Sequence, residues 1–464
     1  MHAASAASWS VGTSRRWKTL TPACRSERWT RCAKPLRSSG RCWHRPKSAS
    51  ETVMNNDSLP GRSKQPGTLF SIEEESMSFS RRAFVKTLGI GGAAALSSSY
   101  IPRAYDLPSF WTPTLLAQEG PLLLHNNENP LGPGDRVLNA IREHIAPDGA
   151  TIGRYPFALT GGLARAIAQR FDVEPGNIIM GTGSTQALRT ATQVYTSPTK
   201  ALVTATPTYE ECTQYAQLIG SAVVEVGLNE NLELDLDEMA AAARGAGMVF
   251  LNNPNNPTAT VHPEDAVNGF IDDVLTASPD TMILVDEAYH DYVTDPRHVS
   301  QIPHAVRNPK VMAARTFSKA HGMAGMRVGY MIAHEDTVRE LSPWHSFNTM
   351  NTPGILGATI SILDTQRLEE EAARNTEARQ YTIDWFKNAG FDATDSQCNF
   401  IFVKTGMNAQ EFRDGARENG VMVGRNFPPY QEEWARISIG TLEQMQQATE
   451  AFAKVLRVNA TAAA

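Results

Sequence analysis

Cysteine is scarce in this chain: five in 464 residues, at Cys24, Cys32, Cys42, Cys212 and Cys398, with no CxxC pair and no Cys/His cluster at metal-ligand spacing. A disulfide framework is thereby excluded, and no metal site is expected. Long apolar runs are missing too. The stretch from Leu88 to Leu96 falls well short of the ~20 residues that a membrane span needs, so no permanent membrane anchor is expected. Basic charge is short where it would matter for nucleic acid. The first 76 residues hold 13 Lys or Arg against 6 Asp or Glu, so the net −6 of the whole chain leaves −13 on the remainder. An acidic body cannot offer the clustered cations that phosphate backbones require, and nucleic acid is excluded as a partner.

What is present is sufficient for a folded protein of two or three domains: 41% hydrophobic and 8% aromatic residues, ordinary values for a globular chain. Residues 1–76 stand apart. They are rich in Ser, Arg and Trp, poor in Ile, Leu and Val, and show no helical or strand period. Such a segment cannot bury enough apolar area to offset chain entropy, so a disordered or non-native extension is expected. Met77 then opens "MSFSRRAFVKTLGIGGAAALSSSYIPRA", in which Arg81 and Arg82, a nearby Phe and Lys, and a short weakly apolar run are similar to a twin-arginine export signal. Residues 77–117 are therefore expected to be signal and linker, with Met77 the natural start and delivery outside the cytoplasm, periplasmic in location. Without that signal the expectation reverts to the cytoplasm. The "GIGGAA" within it follows no strand and lacks a correctly spaced third glycine, which rules out a dinucleotide loop.

From about Gln118 onward short apolar runs alternate with amphipathic stretches. Val137, Ile141 and Ile145 share one helical face, as do Leu163, Ile167 and Phe171. The runs "NIIMG", "KALVTA", "AVVEV", "GMVFLNN", "TMILVDEAY", "KVMAART" and "RVGYMIA" are continuously apolar, the pattern of strands covered on both faces. An α/β fold with a mostly parallel central sheet between helices is predicted. Ligands in such sheets bind beyond the carboxyl ends of the strands. There the chain places "GTGSTQALRTA", a Gly-rich turn entering a helix, with Ser184 and Thr185 expected to cap it and its free N–H groups suited to a phosphate. "NNPNNPTAT" leaves Asn256 to hydrogen-bond outward. Asp286 closes an apolar strand, where a carboxylate needs a cationic partner. "RTFSKAHGMAGMRVGY" sets a lone amine, Lys319, in an apolar, flexible segment, as Schiff-base chemistry demands.

Taken in order, Asn256 in NNPT, Asp286 and Tyr289 in DEAY, Lys319 in SKAHGMAGMR and Arg327 eight residues on resemble the fold-type I pyridoxal-phosphate enzymes. Within them the chain most resembles the histidinol-phosphate aminotransferase group, through "NNENPLGPG", "RYP", "PTY", "SKAHGMAGMR" and "RISIGT", over about residues 120–460. Two positions depart from the group's pattern: PTA stands for the usual PTG, and Phe157 follows RYP where an acidic residue is usual. The resemblance implies an N-terminal arm that joins part of the small domain (118–147), a large cofactor-binding domain (148–345) and a small α/β C-terminal domain (346–464).

It implies roles as well. Lys319 would bond the pyridoxal 5'-phosphate and shuttle a proton. Asp286 would keep the ring nitrogen protonated, so that the ring acts as an electron sink. Tyr289 and Asn256 would hydrogen-bond the ring oxygen, and Tyr209 would stack on the ring. Gly183, Ser184 and Thr185 would hold the phosphate, with Thr316, Ser318 and Arg327 closing around it. Tyr155 would reach the phosphate of a neighbouring subunit, implying a homodimer. Arg436 would clamp a substrate α-carboxylate, bordered by Asn127 and Asn129. The expected activity is an aminotransferase acting between an amino acid, or a histidinol-phosphate-like amine, and a 2-oxo acid. A decarboxylase, lyase or cyclase of the same fold would share every cofactor residue. A non-catalytic cofactor-binding regulator is the remote alternative, and no basic helix-turn-helix precedes the globular part.

Overall fold

The computed structural model describes residues 120–145, 152–346 and 348–458. The expected extension, the export signal and the linker lie outside the described residues. Twelve strands are found among them: β1 (Leu122–Leu124), β2 (Ile178–Gly181), β3 (Leu202–Thr206), β4 (Val223–Gly227), β5 (Met248–Asn252), β6 (Met282–Asp286), β7 (Val311–Thr316), β8 (Gly329–Ala333), β9 (Asp392–Ala393), β10 (Phe400–Lys404), β11 (Val421–Val423) and β12 (Trp434–Ser438). All seven apolar runs quoted from the sequence became strands of one sheet, ordered β2-β8-β7-β6-β5-β3-β4. It is parallel from β7 through β4, while β8 runs antiparallel to both of its neighbours.

The continuous apolarity of these strands has a direct cause. Alternate residues face opposite sides, and both sides are covered. Val249, Leu251, Ile283 and Val285 pack with Leu163, Ile167, Phe270 and Ile355 on one face. Met248, Phe250, Met282 and Leu284 pack with Ala187, Leu188, Cys212 and Ala216 on the other. Each buried Leu, Ile, Val or Phe contributes about 1.5–3 kcal/mol. Both Cys212 and Cys398 are free thiols buried in such cores.

A second cluster is built around a smaller antiparallel sheet, β12-β10-β9, covered by helices Thr365–Asn388, Ala409–Glu418 and Leu442–Leu456. The N-terminal strand β1 pairs in parallel with β11, which carries the segment from His125 to Asn129 over the carboxyl ends of the main sheet. Among the described residues no helix is long and apolar enough to cross a membrane.

Candidate active site

At the carboxyl ends of β5, β6 and β7 lies a cavity of about 440 Å³, lined by residues from eight stretches of the chain, including Asn127, Ser184, Thr185, Tyr209, Asn256, Asp286, Tyr289, Thr316, Ser318, Lys319, Arg327 and Arg436. Twelve of the fifteen sequence-predicted site residues thus meet in one place.

The floor is set by β6. Asp286 is its last residue and is buried; its carboxylate accepts one hydrogen bond, from the Ala288 backbone N–H at 3.2 Å, and has no ion pair among the described residues. Burial pushes its carboxyl up to about 7, only partly opposed by that backbone bond. Lys319 is half-buried. Its Nζ donates to the Asn126 carbonyl at 3.1 Å and lies 5.5 Å from the centre of the Tyr289 ring. Burial first, and then repulsion from Arg436, lower its amine to about 8, so near neutral pH much of the cost of making a neutral nucleophile has been met by the site. Tyr289 is held edge-on to Phe400 at 5.0 Å and accepts a hydrogen bond from the Asn127 Nδ2 at 3.1 Å.

One end of the cavity is an anion cradle. Helix Gly183–Tyr195 starts there, and its N-cap is Thr182 with no side-chain cap. Ser184 and Thr185 therefore sit in the first turn instead of capping it as expected, and the leading N–H groups stay available. Gly183 does not line the cavity but makes it possible: at φ +71 it accepts Arg327 so closely that a Cβ would come within 2.5 Å of Nη2. Arg327 Nη1 donates to Ser318 Oγ at 3.3 Å, and Thr316 Oγ1 bonds Ser318 Oγ at 3.0 Å. Hydroxyls, a guanidinium and a helix N-terminus converging on one point fit a phosphate. A fully buried carboxylate that lacks a cation fits a protonated ring nitrogen. On both counts the residues suit pyridoxal phosphate.

At the other end, Arg436 on β12 is buried. Nη1 donates to Asn256 Oδ1 at 2.8 Å, Nη2 to the His125 carbonyl at 2.6 Å, and Nε has no partner. Burial lowers it to about 10, yet it stays a cation near neutral pH. Each Nη has a second N–H beyond the one given to Asn256 or His125, and these are the donors left for an acceptor. Tyr209 hydrogen-bonds Thr185 from the wall, and burial pushes its phenol up to about 12.

Asn256 is not free: its oxygen serves Arg436. Asn129 braces the arm, donating to the Ala320 carbonyl at 3.0 Å, and lines the neighbouring cavity only. Tyr155 is 75% exposed, packs on Phe157 at 5.8 Å and takes no part in this chain's own cavity. Ala259, the departure from PTG, adopts φ +61 while fully buried, a left-handed backbone that costs a residue with a Cβ roughly 1–2 kcal/mol. Sequence reasoning missed Asn126, Glu128, Asn252 and Arg425, all of which line the cavity. Asn126 and Glu128 lie inside the quoted "NNENP", whereas Arg425 stands in no recognisable pattern.

Known proteins resemble this chain. A histidinol-phosphate aminotransferase of Moorella thermoacetica is 32% identical over 336 residues, 72% of this chain and 84% of that protein. An aromatic amino acid aminotransferase of Thermobifida fusca is 31% identical, over 68% of this chain and 85% of that one. The solved structure of histidinol-phosphate aminotransferase from Sinorhizobium meliloti, in complex with pyridoxal-5'-phosphate, superposes with a TM-score of 0.67 at 26% identity, covering 72% of this chain and 90% of that chain. The family model for aminotransferase class I and II matches residues 119–452, a span that holds both sheets and every residue of the cavity, and the chain belongs to that family.

Proposed function

We propose that this chain transfers an amino group between an amino acid, or an amine of the histidinol-phosphate kind, and a 2-oxo acid. It is a pyridoxal-phosphate-dependent aminotransferase. One observation carries the assignment of parts: the Lys319 amine, the buried Asp286 carboxyl and the Arg436 guanidinium open into a single cavity.

Pyridoxal phosphate, when bound, supplies an aldehyde carbon that exchanges amines and a ring that accepts an electron pair. Ser184, Thr185, Thr316, Ser318 and Arg327 would hold its phosphate. Asp286 would keep a proton on the ring nitrogen, and Tyr289 and Asn256 would hydrogen-bond the ring oxygen beside Tyr209. Arg436 would fix the substrate carboxylate by the N–H groups of its guanidinium not given to Asn256 and His125, which orients the Cα–H bond toward Lys319. The Lys319 Nζ would then carry the proton, a task suited to an amine held near pH 8. Tyr155, turned outward, would complete the phosphate site of a second copy, making the enzyme a homodimer.

The deciding experiment mixes the holoenzyme with single amino acids and follows the cofactor absorbance as it converts to the amine form. Release of CO₂ without that conversion would assign the decarboxylase alternative. Export through Arg81 and Arg82 is supported by the sequence alone; an exported enzyme would be separated from cytosolic histidine synthesis, which favours an amino donor other than histidinol phosphate.

A further inference from the structure

Behind Tyr289 runs a chain of hydrogen bonds that the roles assigned so far do not use. Ser438 ends β12, two residues after Arg436 and so on the same face of the strand, and it is buried. Its Oγ accepts from the Asn127 backbone N–H at 2.8 Å and donates to the Asn127 Oδ1 at 2.8 Å. Both contacts go to one residue, so a single hydroxyl sets its backbone and its side chain together. The Asn127 carbonyl is held in turn by Asn399 Nδ2 at 3.0 Å. Asn127 needs such a clamp, because it is buried at φ +56, a left-handed conformation that asparagine tolerates better than most residues with a Cβ but still at a cost.

The clamp decides which way the amide faces. With Oδ1 taken by the Ser438 hydroxyl proton, Nδ2 is the end turned to Tyr289, and it donates to the phenol oxygen at 3.1 Å. The phenol therefore accepts from Asn127 and keeps its own proton, which no described residue receives, in a side chain that lines the cavity. A hydroxyl that accepts at its oxygen is a stronger donor through its proton. Were the amide turned about, Oδ1 would draw that proton away from the cavity. Resting on the pyridoxal-phosphate reading of the site, we propose that Ser438 is a positioning residue: by holding the Asn127 amide it commits the Tyr289 hydroxyl to donate to the cofactor's ring oxygen, which favours the ionised form of that oxygen. One strand then carries both the arginine for the substrate carboxylate and the serine that tunes the ring.

The test follows the absorbance of the lysine-bound cofactor in the holoenzyme as pH is varied. Ser438→Ala is expected to raise the midpoint of that titration by about 0.5 to 1 pH unit, the scale of one weakened hydrogen bond, and Ser438→Thr, which keeps the hydroxyl, to bring it back toward the wild-type value. In a Tyr289→Phe background Ser438→Ala should add nothing, because it acts through the phenol alone. The titratable groups that face Tyr289 are Arg436, Cys398 and Tyr209, with the Lys319 Nζ 5.5 Å from its ring centre; Ser438→Ala leaves all four side chains in place. An unchanged midpoint in Ser438→Ala, or an equal shift with and without the phenol hydroxyl, overturns the proposal. Should Ser438→Ala fail to fold, Asn127→Gly takes its place: glycine adopts a positive φ without strain and removes the amide, so the same rise and the same silence in Tyr289→Phe are expected, and an unchanged midpoint again overturns it. A wild type in which pyridoxal phosphate gives no lysine-bound absorbance defeats the cofactor reading itself, a result distinct from a normal wild-type titration that Ser438→Ala leaves unmoved.

Discussion

The Arg436 guanidinium donates to the Asn256 side-chain oxygen across 2.8 Å, joining β12 of the small sheet to the turn that follows β5 of the large one. This contact fixes the arginine over the cavity with its Nε unpartnered. Lysine in its place could serve neither Asn256 and the His125 carbonyl together nor a carboxylate in two-pronged fashion. Arg436→Lys is therefore expected to lower kcat/KM for α-amino acids by about 100-fold, with cofactor content unchanged. Steady-state kinetics with absorbance-based cofactor counting checks it, and an unaltered kcat/KM would remove Arg436 from carboxylate binding.

Asp286 makes stability depend on pH in an unusual direction. Its carboxyl is raised from 3.8 to about 7, so the folded protein holds this proton more tightly than the unfolded chain. Stability from this group is complete below about pH 4 and is lost as pH rises to about 7, by up to about 4 kcal/mol. Cofactor-free Asp286→Asn carries no charge to bury. Its melting temperature should rise relative to the wild type as pH increases from 4 to 7, and pyridoxal phosphate should narrow the gap by bringing a cation to the wild-type carboxylate. Parallel melting curves across that range would refute the assignment.

Lys319 is expected to be unusually reactive before cofactor binds. With its amine lowered to about 8 by burial and by Arg436, labelling of the cofactor-free protein by an amine reagent, read at Lys319 by mass spectrometry, should show a midpoint near pH 8. Arg436→Met removes a repulsive cation and should raise the midpoint. Lys319→Ala should retain the melting curve of a folded protein yet lose turnover and the absorbance of lysine-bound cofactor. An active Lys319→Ala would end the assignment of its role.

Much of this was legible in the sequence because the chemistry sits at strand ends. Asp286 and Asn256 interrupt apolar runs where the strands stop, and a local pattern of that kind survives without knowledge of the fold. Lys319 was legible from its Gly-rich surroundings. Contacts made across the chain were not. The Asn126 carbonyl that receives Lys319 is a backbone atom 193 positions away, and no side-chain pattern announces a carbonyl. Arg425 becomes part of the cavity only because β11 pairs with β1. The reversed direction of β8 was hidden for a similar reason, since an apolar run buried on both faces reads alike in either orientation.

The proposed export rests on Arg81 and Arg82, which lie outside the described residues. A twin-arginine pathway reads both guanidinium groups, so charge alone should not suffice. A protein beginning at Met77 is expected to leave the cytoplasm, and conversion of Arg81 and Arg82 to lysine is expected to retain it there. Cell fractionation of the two forms decides it, and identical cytoplasmic distribution would restore histidinol phosphate as the favoured substrate.

Tyr155 offers the sharpest test of assembly. It is 75% exposed beside Phe157, itself 64% exposed, and a tyrosine so placed has no reason to influence a cavity it does not line unless a second copy brings that cavity to it. Tyr155→Ala and Lys319→Ala should each be poorly active or inactive alone. Dissociated and re-associated together in equal amounts, they form hybrids in which one of the two sites combines an intact Lys319 from one subunit with an intact Tyr155 from the other. Random pairing of subunits then predicts recovery of about one quarter of wild-type activity. A mixture no more active than the sum of its parts would show that each subunit completes its own site, and the homodimer would lose its catalytic rationale.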